Sequence, residues 1–203
     1  MIVDTGVSFL KINNIDTKIG LAIQSINILF NNQAIIVGSL ADCFYIDENI
    51  EINDLDLVLT EQIFLESLSL VQKPTLLEKD DFYFKLLNNI AFSSICYQGY
   101  YKSKKYLKLD CFLDSDNYKL NKIESIKYQK ILDTCTIFKS SIKSTSNIIE
   151  YKVIDPYLRI ESLKNLLNAD TSCVKNSLGL KWLLEKKQKS LDKLIRYHHI
   201  YGK

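Results

Sequence analysis

Asn53-Asp54-Leu55-Asp56-Leu57-Val58-Leu59-Thr60 decides how the rest of this chain is read. Leu55, Leu57 and Leu59 alternate with Asp54, Asp56 and Val58, the pattern of a strand with one face buried and the other presenting carboxylates. Residues two apart on a strand share a face, and at a rise of about 3.4 Å per residue the roots of the two aspartates stand ~7 Å apart. Both carboxylates can then converge on one or two divalent cations. Left without a cation they repel each other, although a solvated edge strand would also tolerate them.

Acidic pairs at this spacing come easily to a chain with 24 Asp and Glu among 203 residues, so the surroundings have to discriminate. Asp114 and Asp116 form another such pair, placed where apolar alternation gives out into Ser115 and Asn117, and they read as an accident of a loop. Upstream of the first pair, Gln33-Ala34-Ile35-Ile36-Val37 is a short apolar run ending at Gly38-Ser39, a buried strand delivered into a turn. Glycine lets the backbone approach a ligand, and a small hydroxyl with free backbone N–H groups suits phosphate oxygens. From Asp42 to Glu66 the chain carries eight carboxylates (Asp42, Asp47, Glu48, Glu51, Asp54, Asp56, Glu61 and Glu66) and no Lys or Arg. Such a run is either solvated surface or a set of hard oxygen ligands of the kind Mg²⁺ takes.

Val37-Gly38-Ser39, a variable stretch, and then Asn53-Asp54-Leu55-Asp56-Leu57 are together similar to the signature of the nucleotidyltransferase superfamily related to DNA polymerase beta. In that family an apolar residue, Gly and Ser end the first core strand, Asp-apolar-Asp begins the second, and a third carboxylate lies on a later strand. Tyr106-Leu107-Lys108-Leu109-Asp110-Cys111-Phe112-Leu113 supplies Asp110 inside a strand-like segment. The resemblance implies an α+β fold: a mixed β-sheet with helices on one side, a core over 1–155, and a helical segment over 156–203 packed on it. It implies transfer of a nucleoside monophosphate from a nucleoside triphosphate to an acceptor hydroxyl, with pyrophosphate released. Asp54, Asp56 and Asp110 would be the catalytic residues and the ligands of Mg²⁺ or Mn²⁺, while Gly38, Ser39 and Lys164 would meet the nucleotide. The acceptor class stays open among RNA, protein and a small molecule, and so does the base.

Two departures from the pattern stand out. The stretch from Leu40 to Asn53 is longer than the family implies and lacks its additional glycine, and Asp42 within it reads as a loop residue. Further on, Asp155-Pro156, a helix, and Leu178-Gly179-Leu180-Lys181-Trp182-Leu183-Leu184 loosely resemble the tail of small members linked to abortive infection and toxin-antitoxin systems. Those relatives commonly carry a lysine in the first helix and a Lys-Asp pair before the next; here Lys164 is present, but Lys175 is followed by Asn176. A nucleotidyltransferase-like fold working as a binding or regulatory module, such as an antitoxin, is the alternative reading.

With 47% apolar residues the chain can bury a sizeable core. No apolar stretch approaches the 18 or so residues needed to cross a membrane, and Met1-Ile2-Val3-Asp4 lacks the layout of a signal peptide, so a cytoplasmic protein without a membrane partner is expected. Cysteines at 43, 96, 111, 135 and 173 are odd in number and lack Cys-x-x-Cys spacing, which argues for reduced, mostly buried thiols. Lysine dominates arginine and the net charge is only +2, a balance that points to no particular polyanion. The segment from Lys181 to Lys203 is locally basic, which fits either polyanion contact or a solvated helix face.

The remaining pattern predicts a helix over 15–30, with Ile19, Ile23, Ile26 and Leu29 on its apolar stripe and Ile28 widening it. A second helix should start after Thr60 as N-cap and stop near Pro74. Strands are expected at Phe82–Phe84, Ala91–Tyr101 and Tyr106–Leu113, with Lys102-Ser103-Lys104-Lys105 as a hairpin tip, then a further hairpin within Ile131–Ile154 and helices from Tyr157 to the end.

Overall fold

The computed structural model describes residues 9–46, 52, 54–71, 82–91, 94–114, 128–142, 147–168 and 178–201. Asn53, Pro74, Ser115, Asp116, Asn117, Cys173, Lys175, Asn176 and Met1 to Asp4, all singled out above, lie outside them.

An eight-stranded mixed sheet organises the chain. In sequence the elements are β1 (Phe9–Ile15), α1 (Thr17–Leu29), β2 (Ile35–Val37), α2 (Gly38–Tyr45), β3 (Asp54–Thr60), α3 (Glu61–Val71), β4 (Phe82–Ala91), β5 (Ser94–Tyr101) and β6 (Lys104–Asp114). They continue with α4 (Tyr128–Thr134), β7 (Thr136–Ile142), β8 (Ile148–Val153), α5 (Pro156–Asn168) and α6 (Leu178–Tyr201). Across the sheet the order is β1-β7-β8-β2-β3-β6-β5-β4, which puts β2, β3 and β6 side by side in the interior.

Interior position explains composition. Ile35, Ile36 and Val37 of β2 are all buried, as a strand covered on both faces requires. In β3 the alternation resolves as expected: Leu55, Leu57 and Leu59 are fully buried, whereas Asp54 and Asp56 are only partly covered on the opposite face. Helix α1 buries Ala22, Ile23, Ile26 and Leu29. Ile28, expected to widen that stripe, is instead 56% exposed. Thr60 caps α3 through its Oγ1, which accepts a hydrogen bond from the Ile63 N–H at 3.3 Å.

Several expectations need correction. The turn at Gly38-Ser39 and residues 40–45, read as the start of a loop, together form α2, because Leu40, Ala41 and Tyr45 all find core contacts there and Asp42 is buried in the same helix. The hairpin tip is tighter than expected: Lys102 and Ser103 alone make the turn, with φ of 49° and 61°, and Lys104 and Lys105 already belong to β6. Positive φ at both central positions matches the right-handed twist of the flanking strands. Ile131 to Thr134 are helical, since Tyr128 and Ile131 bury one turn ahead of β7. Strand β1, which no pattern above predicts, pairs in parallel with β7 at the sheet edge. Among the described residues Cys43, Cys96, Cys111 and Cys135 form no disulfide, with Cys111 buried and the others half-buried.

Helix α6 closes the fold over α2 and α5. Leu191 and Leu194 are buried, and the Tyr197 ring lies 6.1 Å from that of Tyr45 at the end of α2. No helix among the described residues is long and apolar enough to cross a membrane.

Candidate metal centre

Strand register brings the aspartates together. Strand β2 runs antiparallel to β3 with Val37 opposite Asp56, and β3 runs parallel to β6 with Asp54 opposite Lys108 and Asp56 opposite Asp110. One oxygen from each of Asp54, Asp56 and Asp110 falls within a set no more than 4.8 Å across. The Asp110 Oδ1 atom is buried and has no hydrogen-bond partner. A buried carboxylate oxygen left without a donor is costly unless something cationic completes it.

Gly38 follows directly on Val37, so its backbone passes against the Asp56 side chain. A Cβ built at this position would overlap the Asp56 carboxylate and stand 2.7 Å from its Cβ. The backbone at Gly38 also has φ of 70°, a region that side chains with a Cβ rarely adopt. Two independent constraints therefore require glycine here. Gly38 opens α2, whose first turn carries no side-chain cap. Ser39 beside it is half-buried, and its carbonyl accepts a bond from the Cys43 thiol at 3.1 Å.

Electrostatics follow from this crowding. Burial, together with the charges of Asp54 and Asp110, pushes the Asp56 carboxyl up to about 7, with Lys187 and Arg159 pulling the other way. Near neutral pH the group is therefore divided between its protonated and charged forms. A divalent cation would favour the charged form of all three, and three carboxylates form a hard oxygen donor set suited to Mg²⁺ or Mn²⁺.

Two cationic residues of the neighbourhood were not anticipated. Arg159 on α5 donates through Nε to Asp42 Oδ1 at 2.8 Å and through a terminal nitrogen to Asp42 Oδ2 at 3.1 Å, and both side chains are buried. This forked pair ties α2 to α5 and accounts for the burial of Asp42. Its signal in the sequence was an arginine beside Leu158, Ser162 and Leu163, on the buried face of its helix. Lys187 on α6 acts on Asp56; it stands four and seven residues before Leu191 and Leu194, a spacing that puts it on their face.

Lys164, by contrast, is exposed on α5, about 140° around the helix from Arg159. Lys104, Lys105 and Lys108 are exposed as well. Asp114 accepts a hydrogen bond from the Tyr128 N–H at 2.7 Å and so anchors the start of α4, a structural task.

No family model matches the chain, and no curated protein matches it either. Among solved structures it is similar to the solution structure of the antibiotic-resistance factor ANT(2'')-Ia, with a TM-score of 0.44 and 11% identity over 92% of each chain. It is also similar to the crystal structure of ANT(2'')-Ia in complex with adenylyl-2''-tobramycin, with a TM-score of 0.42 and 10% identity over 91% of this chain and 98% of that one.

Proposed function

We propose that the chain is a metal-dependent nucleotidyltransferase, moving a nucleoside monophosphate from a nucleoside triphosphate to an acceptor hydroxyl. The observation that carries this reading is the convergence of Asp54, Asp56 and Asp110 within 4.8 Å, with Asp110 Oδ1 buried and unpartnered. Asp54 and Asp56 project from one strand and would hold the metal that accompanies the triphosphate. Asp110, on the neighbouring strand, would complete a second position.

Divalent ions at such a site polarise the phosphoryl group and stabilise charge on the attacking and leaving oxygens. Gly38 and Ser39, at the uncapped start of α2, offer backbone N–H groups and a hydroxyl to phosphate oxygens, and Lys164 is a further candidate for them. The acceptor oxygen forms a bond to the α-phosphorus, the bond from that phosphorus to the bridging oxygen breaks, and pyrophosphate departs with the electron pair. Asp110 is the carboxylate suited to take the hydroxyl proton, since its Oδ1 has no donor to release first.

Incubating the protein with each labelled nucleoside triphosphate, Mg²⁺ or Mn²⁺, and RNA, protein or small-molecule fractions tests the reading. Transfer of label with stoichiometric release of pyrophosphate is the expected result. Binding of triphosphate without transfer to any fraction would replace it by the binding or regulatory module, an antitoxin being one form of that.

A further inference from the structure

Beyond the carboxylates the same face of the sheet turns basic and aromatic. Register partners on neighbouring strands project from one face, and so do residues two apart on a strand. The row that holds Asp56 continues through Asp110 of β6 to Cys96 of β5. One step of two residues along the strands, about 7 Å away, the next row runs Asp54, Lys108, Gln98 and Lys85 across β3, β6, β5 and β4. A further step brings Lys105, Tyr100 and Tyr83 into line, the register of β6 having shifted past Gln98. Tyr97 alternates to the other face, where its ring lies 6.4 Å from that of Phe64 in α3.

Lys85, Lys105 and Lys108 are exposed, and none of them forms an ion pair among the described residues, although Lys108 stands opposite Asp54 in register. Gln98 between them is buried, and its Nε2 donates to the carbonyls of Gly99 at 3.0 Å and Leu107 at 3.1 Å, which holds the irregular backbone in place. The rings of Tyr83 and Tyr100 lie parallel, 9° apart in plane with centroids 4.8 Å apart. Each gives one face to the other and is only half-buried, so part of the stack is open to a further planar ring.

This order of groups has a chemical counterpart. A polynucleotide ends in a neutral hydroxyl, carries its nearest phosphate one nucleotide back, and has bases free to stack when they are unpaired. Lysines suit the phosphates and a tyrosine stack suits a base. A polycationic acceptor would be repelled by three uncompensated ammonium groups, and a neutral one would leave them unused. We infer that the face of β4, β5 and β6 beside the carboxylates binds a single-stranded nucleic acid, whose terminal 3′-hydroxyl is the acceptor. Binding follows from the surface itself; the acceptor role rests on the nucleotidyltransferase reading above. In that role the 3′-oxygen forms the bond to the α-phosphorus, its proton passes to Asp110, pyrophosphate leaves with the electron pair of the broken bond, and the strand ends one nucleotide longer.

Fluorescence anisotropy on the full chain, without nucleoside triphosphate, tests the surface. The probes are short labelled single strands of RNA and of DNA, the same RNA as a duplex, and labelled polyglutamate. The variants are Lys85→Gln with Lys108→Gln, Tyr100→Leu, Tyr100→Phe and, as an exposed control on α6, Lys189→Gln, with a thermal melt confirming that each is folded. The wild type should bind a single strand, and the RNA and DNA arms show which sugar it prefers. The double lysine variant is expected to weaken that binding at least tenfold and to make the slope of log affinity against log salt shallower by about 1.4, the share of two phosphate contacts. Tyr100→Leu should weaken it at least fivefold with the slope unchanged, while Tyr100→Phe and Lys189→Gln stay within twofold of the wild type. No binding of either strand, duplex bound as tightly as single strand, or polyglutamate bound as tightly as RNA would each overturn the inference. Incubation with each nucleoside triphosphate and Mg²⁺ or Mn²⁺ then tests the acceptor role. Transfer to a protein or small-molecule fraction but not to the bound strand would overturn that role alone. Strand binding of the expected kind without transfer to any fraction would support the surface and defeat the nucleotidyltransferase reading instead.

Discussion

Asp42 lies within α2 and Asp56 packs against its first residue, and the chain treats their charges in opposite ways. Asp42 is buried together with Arg159, whose guanidinium forks onto both of its oxygens. Asp56 is set among Asp54 and Asp110, with its carboxyl pushed up to about 7 by burial and by those two charges. The first arrangement is electrically complete and holds α2 against α5. The second carries an excess of negative charge that protonation of Asp56 or an arriving cation relieves. A buried acid with its own counter-charge is architecture; one crowded by like charges is a place for a ligand.

Replacement of Asp56 by Asn should separate the two most sharply. The change is nearly isosteric, so the fold persists and the metal-free protein gains stability from the removed repulsion, while transfer falls by roughly 10³-fold or more as a direct metal ligand is lost. Measuring initial rates of pyrophosphate release beside thermal melts checks both halves; full activity in Asp56→Asn would end the metal mechanism.

Breaking the other site should cost stability first. Arg159→Met leaves Asp42 buried without its partner, and a loss of about 3–5 kcal/mol in denaturant unfolding is expected. The double replacement Arg159→Met with Asp42→Leu should recover much of that loss, because two apolar groups leave no charge stranded. A single variant as stable as the wild type would contradict the role assigned to the pair.

Proton linkage gives a third contrast. Asp56 has its carboxyl raised from an ordinary 3.8 to about 7 in the folded protein, so the folded state holds a proton that the unfolded state has released. The metal-free protein should therefore lose this contribution as pH rises from about 4 through 7, and Mg²⁺, which binds the deprotonated form, should stabilise it increasingly over the same window. Melting curves at pH 5 and pH 8, with and without millimolar Mg²⁺, show the effect as the difference between wild type and Asp56→Asn. An identical pH dependence in the two proteins would remove the linkage. Asp114→Asn serves as the smallest perturbation: an amide still accepts from the Tyr128 N–H, so stability should stay within ~0.5 kcal/mol and transfer should not change.

The aspartate alternation in β3 and the run ending at Gly38-Ser39 were legible because each is local: period two reports a half-covered strand, and glycine reports a special backbone. Asp110 was legible through its family motif rather than through its surroundings. Arg159 and Lys187 were not, since their meaning depends on which helix face meets α2, and that is settled by packing across more than a hundred residues of chain. Asp42 was misread for the same reason, its acidic neighbours suggesting solvent when a distant guanidinium was waiting for it. Strand β1 escaped notice because its identity comes from parallel pairing with β7, a partner over a hundred residues away.

Parallel pairing of β3 with β6 also has a temporal side. Asp56 and Asp110 are register partners more than fifty residues apart, and strand pairings of such high contact order form slowly because a long loop must close before they are rewarded. A chain emerging from the ribosome can fold α1, β2 and β3 while it still lacks the third carboxylate. The three carboxylates thus converge only once β6 has docked, so recovery of the metal binding proposed for them should lag behind recovery of helix during refolding. Completion of the sheet is then the event that assembles the three carboxylates.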